Sequence, residues 1–172
     1  LAQEPEHSGP LFPVGFGLLS LLSGSLLIRP LIYAVLLFEV AVALSIFALQ
    51  PEDQGPTRGG LQYVSFSLLA LPGLLVIHWL MGRYALTPDN TALLYSAVVL
   101  LAISFALLLG CVPFHLWIPS VLSDSEPLAG AFVFTVNNGA VWFLLLAFLE
   151  MYPDLSAYPG FATFVSSAGL VM

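Results

Sequence analysis

Of the 172 residues, 59% are hydrophobic and only 8% are charged, against about 25% charged in an average soluble domain, so the chain lacks the polar residues to clothe a water-soluble fold. Its only cations besides histidine are Arg29, Arg58 and Arg83, and the formal charge is -7; with no basic patch to neutralise phosphates, nucleic acid is excluded as a partner. The single cysteine, Cys111, cannot form an internal disulfide. The sequence also holds no phosphate-binding glycine loop, no metal-ligand spacing and no nucleophile–base pair, so no catalytic or metal site is expected in this chain.

An all-α polytopic membrane protein is the fold class this composition predicts. Residues 1–10 read as a polar leader carrying Glu4, Glu6 and His7, and no cationic segment precedes the first apolar run in the manner of a signal peptide. Apolar runs follow over about 11–28, 31–49, 61–82, 92–119, 128–149 and 161–172. The first five are long enough to cross roughly 30 Å of hydrocarbon; the sixth is partial. A chain that starts at Leu1 and stops at Met172 within an apolar stretch reads as part of a longer polypeptide.

Arg29-Pro30 separates the first two runs, because arginine marks an interface and proline suits the first turn of a new helix. Charge, proline and glycine in quick succession make Pro51 to Gly60 a loop, and Arg83 to Asn90 forms the next one. The third run carries Pro72-Gly73 in mid-span and His78 towards its end. The fourth ends in Gly110-Cys111-Val112-Pro113-Phe114-His115-Leu116-Trp117-Ile118-Pro119, where Pro113 predicts a break in the helix. In lipid a broken helix is tolerated only inside protein or beside a water-filled cavity. Ser120 to Glu126 is expected to be a short polar connection, and Glu150 to Tyr158 a loop. Arg29 and Arg83 fall on one side of the membrane and Arg58 on the other, too weak a bias to orient the chain.

Four polar residues are candidates for a proton path: Glu39, His115, Asn137 and Asn138. A carboxylate in mid-membrane costs a few kcal/mol to insert, and such residues usually face a polar cavity and mark proton or ion routes; the alternative is a glutamate that ties two helices together. His115 can relay a proton or satisfy backbone groups freed by Pro113. Asn137 and Asn138, in the middle of the fifth run, can equally be interhelical hydrogen-bonding groups. Trp117 and Trp142 read as packing or interface anchors, and His78 as interfacial. Neither His78 nor His115 sits in a haem or pigment signature.

Val112-Pro113-Phe114-His115-Leu116-Trp117-Ile118-Pro119, followed by Glu126-Pro127 and a long apolar run, resembles the Val-Pro-(Phe/Leu)-His-x-Trp-Leu-Pro-Asp pattern of the antiporter-like, proton-translocating membrane subunits of NADH:quinone oxidoreductase (complex I), multisubunit cation/proton antiporters and group 4 hydrogenases. Leu36-Leu37-Phe38-Glu39 resembles the glutamate-bearing fifth helix of that family, and the whole chain then matches its fourth to eighth helices. The resemblance implies that Glu39 is the family's glutamate and Pro113 the break of its discontinuous seventh helix. It also implies other membrane subunits and the lipid bilayer as partners, and a bacterial plasma membrane or an organelle inner membrane as the location. Flavin, iron–sulfur clusters and quinone would be carried by other subunits, with no cofactor here. The family's lysines are replaced: the seventh-helix position, four residues before the valine, is Leu108, and the eighth-helix position falls on Asn137 or Asn138. The aspartate after the second proline is Ser120. A diverged subunit, either contributing to a proton half-channel or scaffolding one, is the expectation.

Overall fold

The computed structural model of the chain describes residues 11–50, 57–111 and 114–171. Among these residues every regular element is a helix: α1 (Leu11–Leu27), α2 (Leu31–Leu49), α3 (Arg58–Leu86), α4 (Thr91–Leu109), α5 (Trp117–Asp124), α6 (Pro127–Met151), α7 (Pro153–Ala157) and α8 (Pro159–Val171), with one 3₁₀ turn at Phe114–Leu116. Four of them, α2, α3, α4 and α6, are long and apolar enough to cross a membrane. α1 is as apolar but shorter, at 17 residues. Large apolar side chains crowd the outer faces of the bundle, among them Phe16 (73% exposed), Leu69 (61%) and Phe143 (59%). Such surfaces would be untenable in water and suit a membrane-embedded protein.

α3 is the spine. It is 29 residues long, about 43 Å at 1.5 Å per residue, and it packs against α2, α4 and α5, while α6 closes the bundle against α1, α2 and α4. It begins at Arg58, three residues before the apolar run, because Thr57 in extended conformation accepts the Gly60 N–H through its side chain at 3.1 Å. A second orphan donor of this end, the Gly59 N–H, goes to Asp124 Oδ2 on α5 at 2.9 Å. Pro72 interrupts the hydrogen-bond ladder without ending the helix, its ring on an exposed face. Small residues let neighbours approach closely: Gly17 and Gly24 of α1 receive Leu44 and Leu37 of α2, and Gly73 of α3 receives Ser104 of α4.

Two expectations are corrected. Ser120 to Glu126 is not an irregular connection, since α5 runs through Asp124. Trp117 and Val121, one helical turn apart, are both buried and give this short helix a face to pack on α3, while Pro119 lies in its first turn where no intrahelical donor is needed. The Glu150 to Tyr158 stretch likewise contains the end of α6 and all of α7, which opens on Pro153. At that end the Tyr152 hydroxyl and His78 Nδ1 are 2.5 Å apart. Burial pushes the Tyr152 hydroxyl above the usual phenol range, and a neutral phenol can either donate to or accept from the imidazole. His78 thus ties α3 to the end of α6.

The Asp124 contact makes a first prediction. Asp124→Ala frees the Gly59 donor and removes a carboxylate from a helix N-terminus, which is expected to cost about 1 kcal/mol. It should lower the thermal midpoint of the protein in nanodiscs, whereas Asp124→Asn, which keeps an acceptor, should restore most of it.

Candidate functional site

α4 ends where the motif begins. Gly110 adopts φ 64, a left-handed conformation that favours glycine. The Gly110 N–H donates to Leu107 O at 3.3 Å and the Cys111 N–H to Ala106 O at 2.9 Å, which closes the helix by pairing its orphan carbonyls. Val112 and Pro113, the residue expected to break the helix, lie outside the described residues. The chain turns through Phe114–Leu116 and re-enters helix at Trp117. Trp117 packs directly beneath the turn: a Cβ on Gly110 would sit 3.0 Å from its ring and 2.8 Å from Ile118 Cδ1.

Trp117 is also what fixes the depth of the interruption. Its ring stacks on Phe134 of α6 (5.3 Å between centroids, 14° between planes) and lies 4.8 Å from Tyr63 of α3. Asp124, at the far end of α5, reaches the first turn of α3. The first residue of α5 is therefore level with Tyr63, one to two turns in from the start of α3.

Around this level runs a line of polar groups inside an apolar core. Glu39, 6% exposed on α2, accepts the hydroxyl of Ser67 on α3 at 3.2 and 3.3 Å to its two oxygens. Ser67 is 2% exposed. One turn back along the same face of α3 stands Tyr63, also buried. The Tyr63 hydroxyl accepts Asn137 Nδ2 of α6 at 2.6 Å. α2, α3 and α6 are thus joined by Glu39–Ser67 and Tyr63–Asn137, two buried pairs offset by one turn of α3. Of the other buried serines, Ser25 and Ser45 bond back to carbonyls of their own helices, and Ser104 of α4 lies against Gly73 of α3.

No protein-family model, curated protein or solved structure matches the chain. Its site has to be read from its own geometry.

Of the four candidates, the structure brings Glu39 and Asn137 into one line and places Asn138, half-buried, on the wall of a small cavity beside it. His115 is not brought in: it is exposed on the 3₁₀ turn and makes no hydrogen bond among the described residues. Leu108 is buried on α4, 5% exposed. Glu39 has Ser67 as its hydrogen-bond partner among the described residues, and no cation. Ser67 and Tyr63 are the members of these buried pairs that sequence reading passed over. Their signal was the i, i+4 spacing of two hydroxyl side chains in an apolar run, which puts both on one helical face.

A hydroxyl both donates and accepts, an amide does likewise through two atoms, and a carboxyl group can hold or release a proton. Glu39–Ser67 and Tyr63–Asn137 are two separate hydrogen-bonded pairs, the first holding a titratable group on the α2 side and the second an amide on the α6 side, with no hydrogen bond between the pairs among the described residues. The carboxyl group of the first pair can hold or release a proton, and the two pairs together lock three helices in register.

Proposed function

We propose that the chain is a membrane-arm subunit of a complex I-like proton-translocating oxidoreductase, spanning its membrane five times with a sixth helix begun at α8, and that Glu39 is the protonatable group of a half-channel beside the interrupted α4–α5 helix. The observation that carries this reading is Glu39 itself, a carboxylate 6% exposed in the core of an apolar bundle and partnered by a neutral hydroxyl. Intramembrane carboxylates in such settings mark proton or ion routes. The helix interruption, whose Trp117 packs on Tyr63 one turn of α3 from Ser67, supports the same reading, since irregular backbone at membrane depth is found where protein or a water-filled cavity satisfies it. Redox chemistry belongs to other subunits, and this chain contributes the proton step or its scaffold. The membrane is that of a bacterium or an organelle.

Glu39→Gln keeps the hydrogen bond to Ser67 and removes the titrating group. In membrane vesicles containing the assembled complex, redox-driven proton transfer is expected to fall on the order of 100-fold, the scale of a positioned acid–base group, with the assembly intact. Unchanged transfer would sink the half-channel.

One observation favours a second reading. Where the family resemblance calls for a lysine, Leu108 fills the α4 position and is buried, so that position supplies no cation. A non-pumping structural subunit that retains the fold to pack against active neighbours fits this replacement. It predicts that Glu39→Gln alters neither transfer nor assembly.

A further inference from the structure

A small cavity lies at the junction of α2, α3, α5 and α6, walled by Tyr63, Trp117, Val133, Phe134, Asn137 and Asn138 together with Leu49 and Val121. Its volume is about 10 Å³, room for a single water molecule and nothing larger. Two of the side chains on its wall carry a buried polar atom without a partner among the described residues: the donor Trp117 Nε1 and the acceptor Asn137 Oδ1. Both residues are only 2% exposed. Burying either atom unsatisfied is expensive, and the two are of opposite hydrogen-bonding character.

We infer that this cavity is a binding site for one ordered water molecule, which accepts the Trp117 indole N–H and donates to Asn137 Oδ1. The inventory closes with the third wall residue. The Tyr63 oxygen already accepts from Asn137 Nδ2, which leaves its own O–H to donate, and a water that accepts from Tyr63 and Trp117 and donates to Asn137 makes three bonds, the usual number for a buried water. An ion does not fit, because the site offers donors and an acceptor without a charged group and is too small for a hydrated one. The bound water fastens α5, the segment after the helix break, to α3 and α6, and it adds the Trp117 indole to the Tyr63–Asn137 pair. This inference stands on the cavity and its wall, whatever Glu39 carries.

The test is water contact at the Trp117 indole in the full chain in nanodiscs. The three tryptophans give separate indole N–H signals in ¹⁵N-labelled protein, and Trp117→Phe assigns the relevant one by its disappearance. Trp79 and Trp142 lie on exposed faces. A cross-peak from the Trp117 indole proton to a long-lived water is expected. It should be lost in Asn137→Leu, which removes the acceptor, and in Val133→Ile, which fills the cavity from its apolar wall and leaves every polar group in place. Absence of the cross-peak in the unaltered protein would overturn the site, as would its survival in folded Val133→Ile. Because the readout needs no turnover, failure of the half-channel would leave this result standing, and the reverse.

Discussion

Gly110→Val is expected to lower the stability of the protein by about 3 kcal/mol and to loosen α5 from the bundle. Two costs combine. At φ 64 an L-residue pays about 1–2 kcal/mol for the left-handed conformation, and a β-branched one is at the unfavourable end. The new side chain must then displace Ile118, 2.8 Å from its Cβ, and the Trp117 ring at 3.0 Å, an overpacking that costs about 1–3 kcal/mol on its own. Trp117 cannot yield easily, because it is held between Phe134 and Tyr63. Thermal unfolding of the nanodisc-embedded chain should show a midpoint lower by roughly 6–12 °C on the soluble-domain scale. Gly82→Val is the control: a Cβ there meets nothing within 4 Å, and helix propensity alone favours the exchange. If the two variants melted alike, the left-handed close of α4 and its seat on Trp117 would not be what holds the interruption.

Where the helices lie was legible because so few polar residues interrupt the apolar runs, and α2 and α4 fall almost where hydropathy puts them. What hydropathy cannot see is local hydrogen bonding. α3 starts at Arg58 because the Thr57 hydroxyl caps it, and α5 exists because Trp117 and Val121 find a buried face on α3, although its serines and aspartate read as a connector. The site divided along the same lines. Glu39 and Asn137 stood out as polar groups in apolar runs, but pairing is a property of the fold, so Ser67 and Tyr63 surfaced only when α3 was set beside α2 and α6. Trp117 looked like ordinary packing; its indole N–H gains importance only from being buried without a partner among the described residues. His115 stands apart from these pairs. It travels with the motif, yet the turn that carries it holds the imidazole at the surface.

The Glu39–Ser67 pair permits a sharper separation of proton path from structural tie than any single variant. Ser67→Ala removes the hydroxyl that serves Glu39 and leaves a buried carboxyl group short of a partner, at a cost of about 1–3 kcal/mol. Glu39→Leu should cost less, because the orphaned Ser67 hydroxyl can turn back to the carbonyl one helical turn before it. In the double variant Glu39→Leu/Ser67→Ala both polar partners are gone and an apolar pair of similar volume remains, which is nearly neutral by the same asymmetry. The thermal midpoints are therefore expected in the order Ser67→Ala lowest, with the double variant close to the unaltered protein, and a coupling between the two sites that is non-additive as befits residues in contact. Transfer measured on the same proteins then decides. A Glu39 that carries protons makes the double variant stable and inert, with proton transfer as low as in Glu39→Gln. A Glu39 that only ties α2 to α3 makes the stable double variant fully active, because the tie has been replaced by packing and nothing else was asked of it.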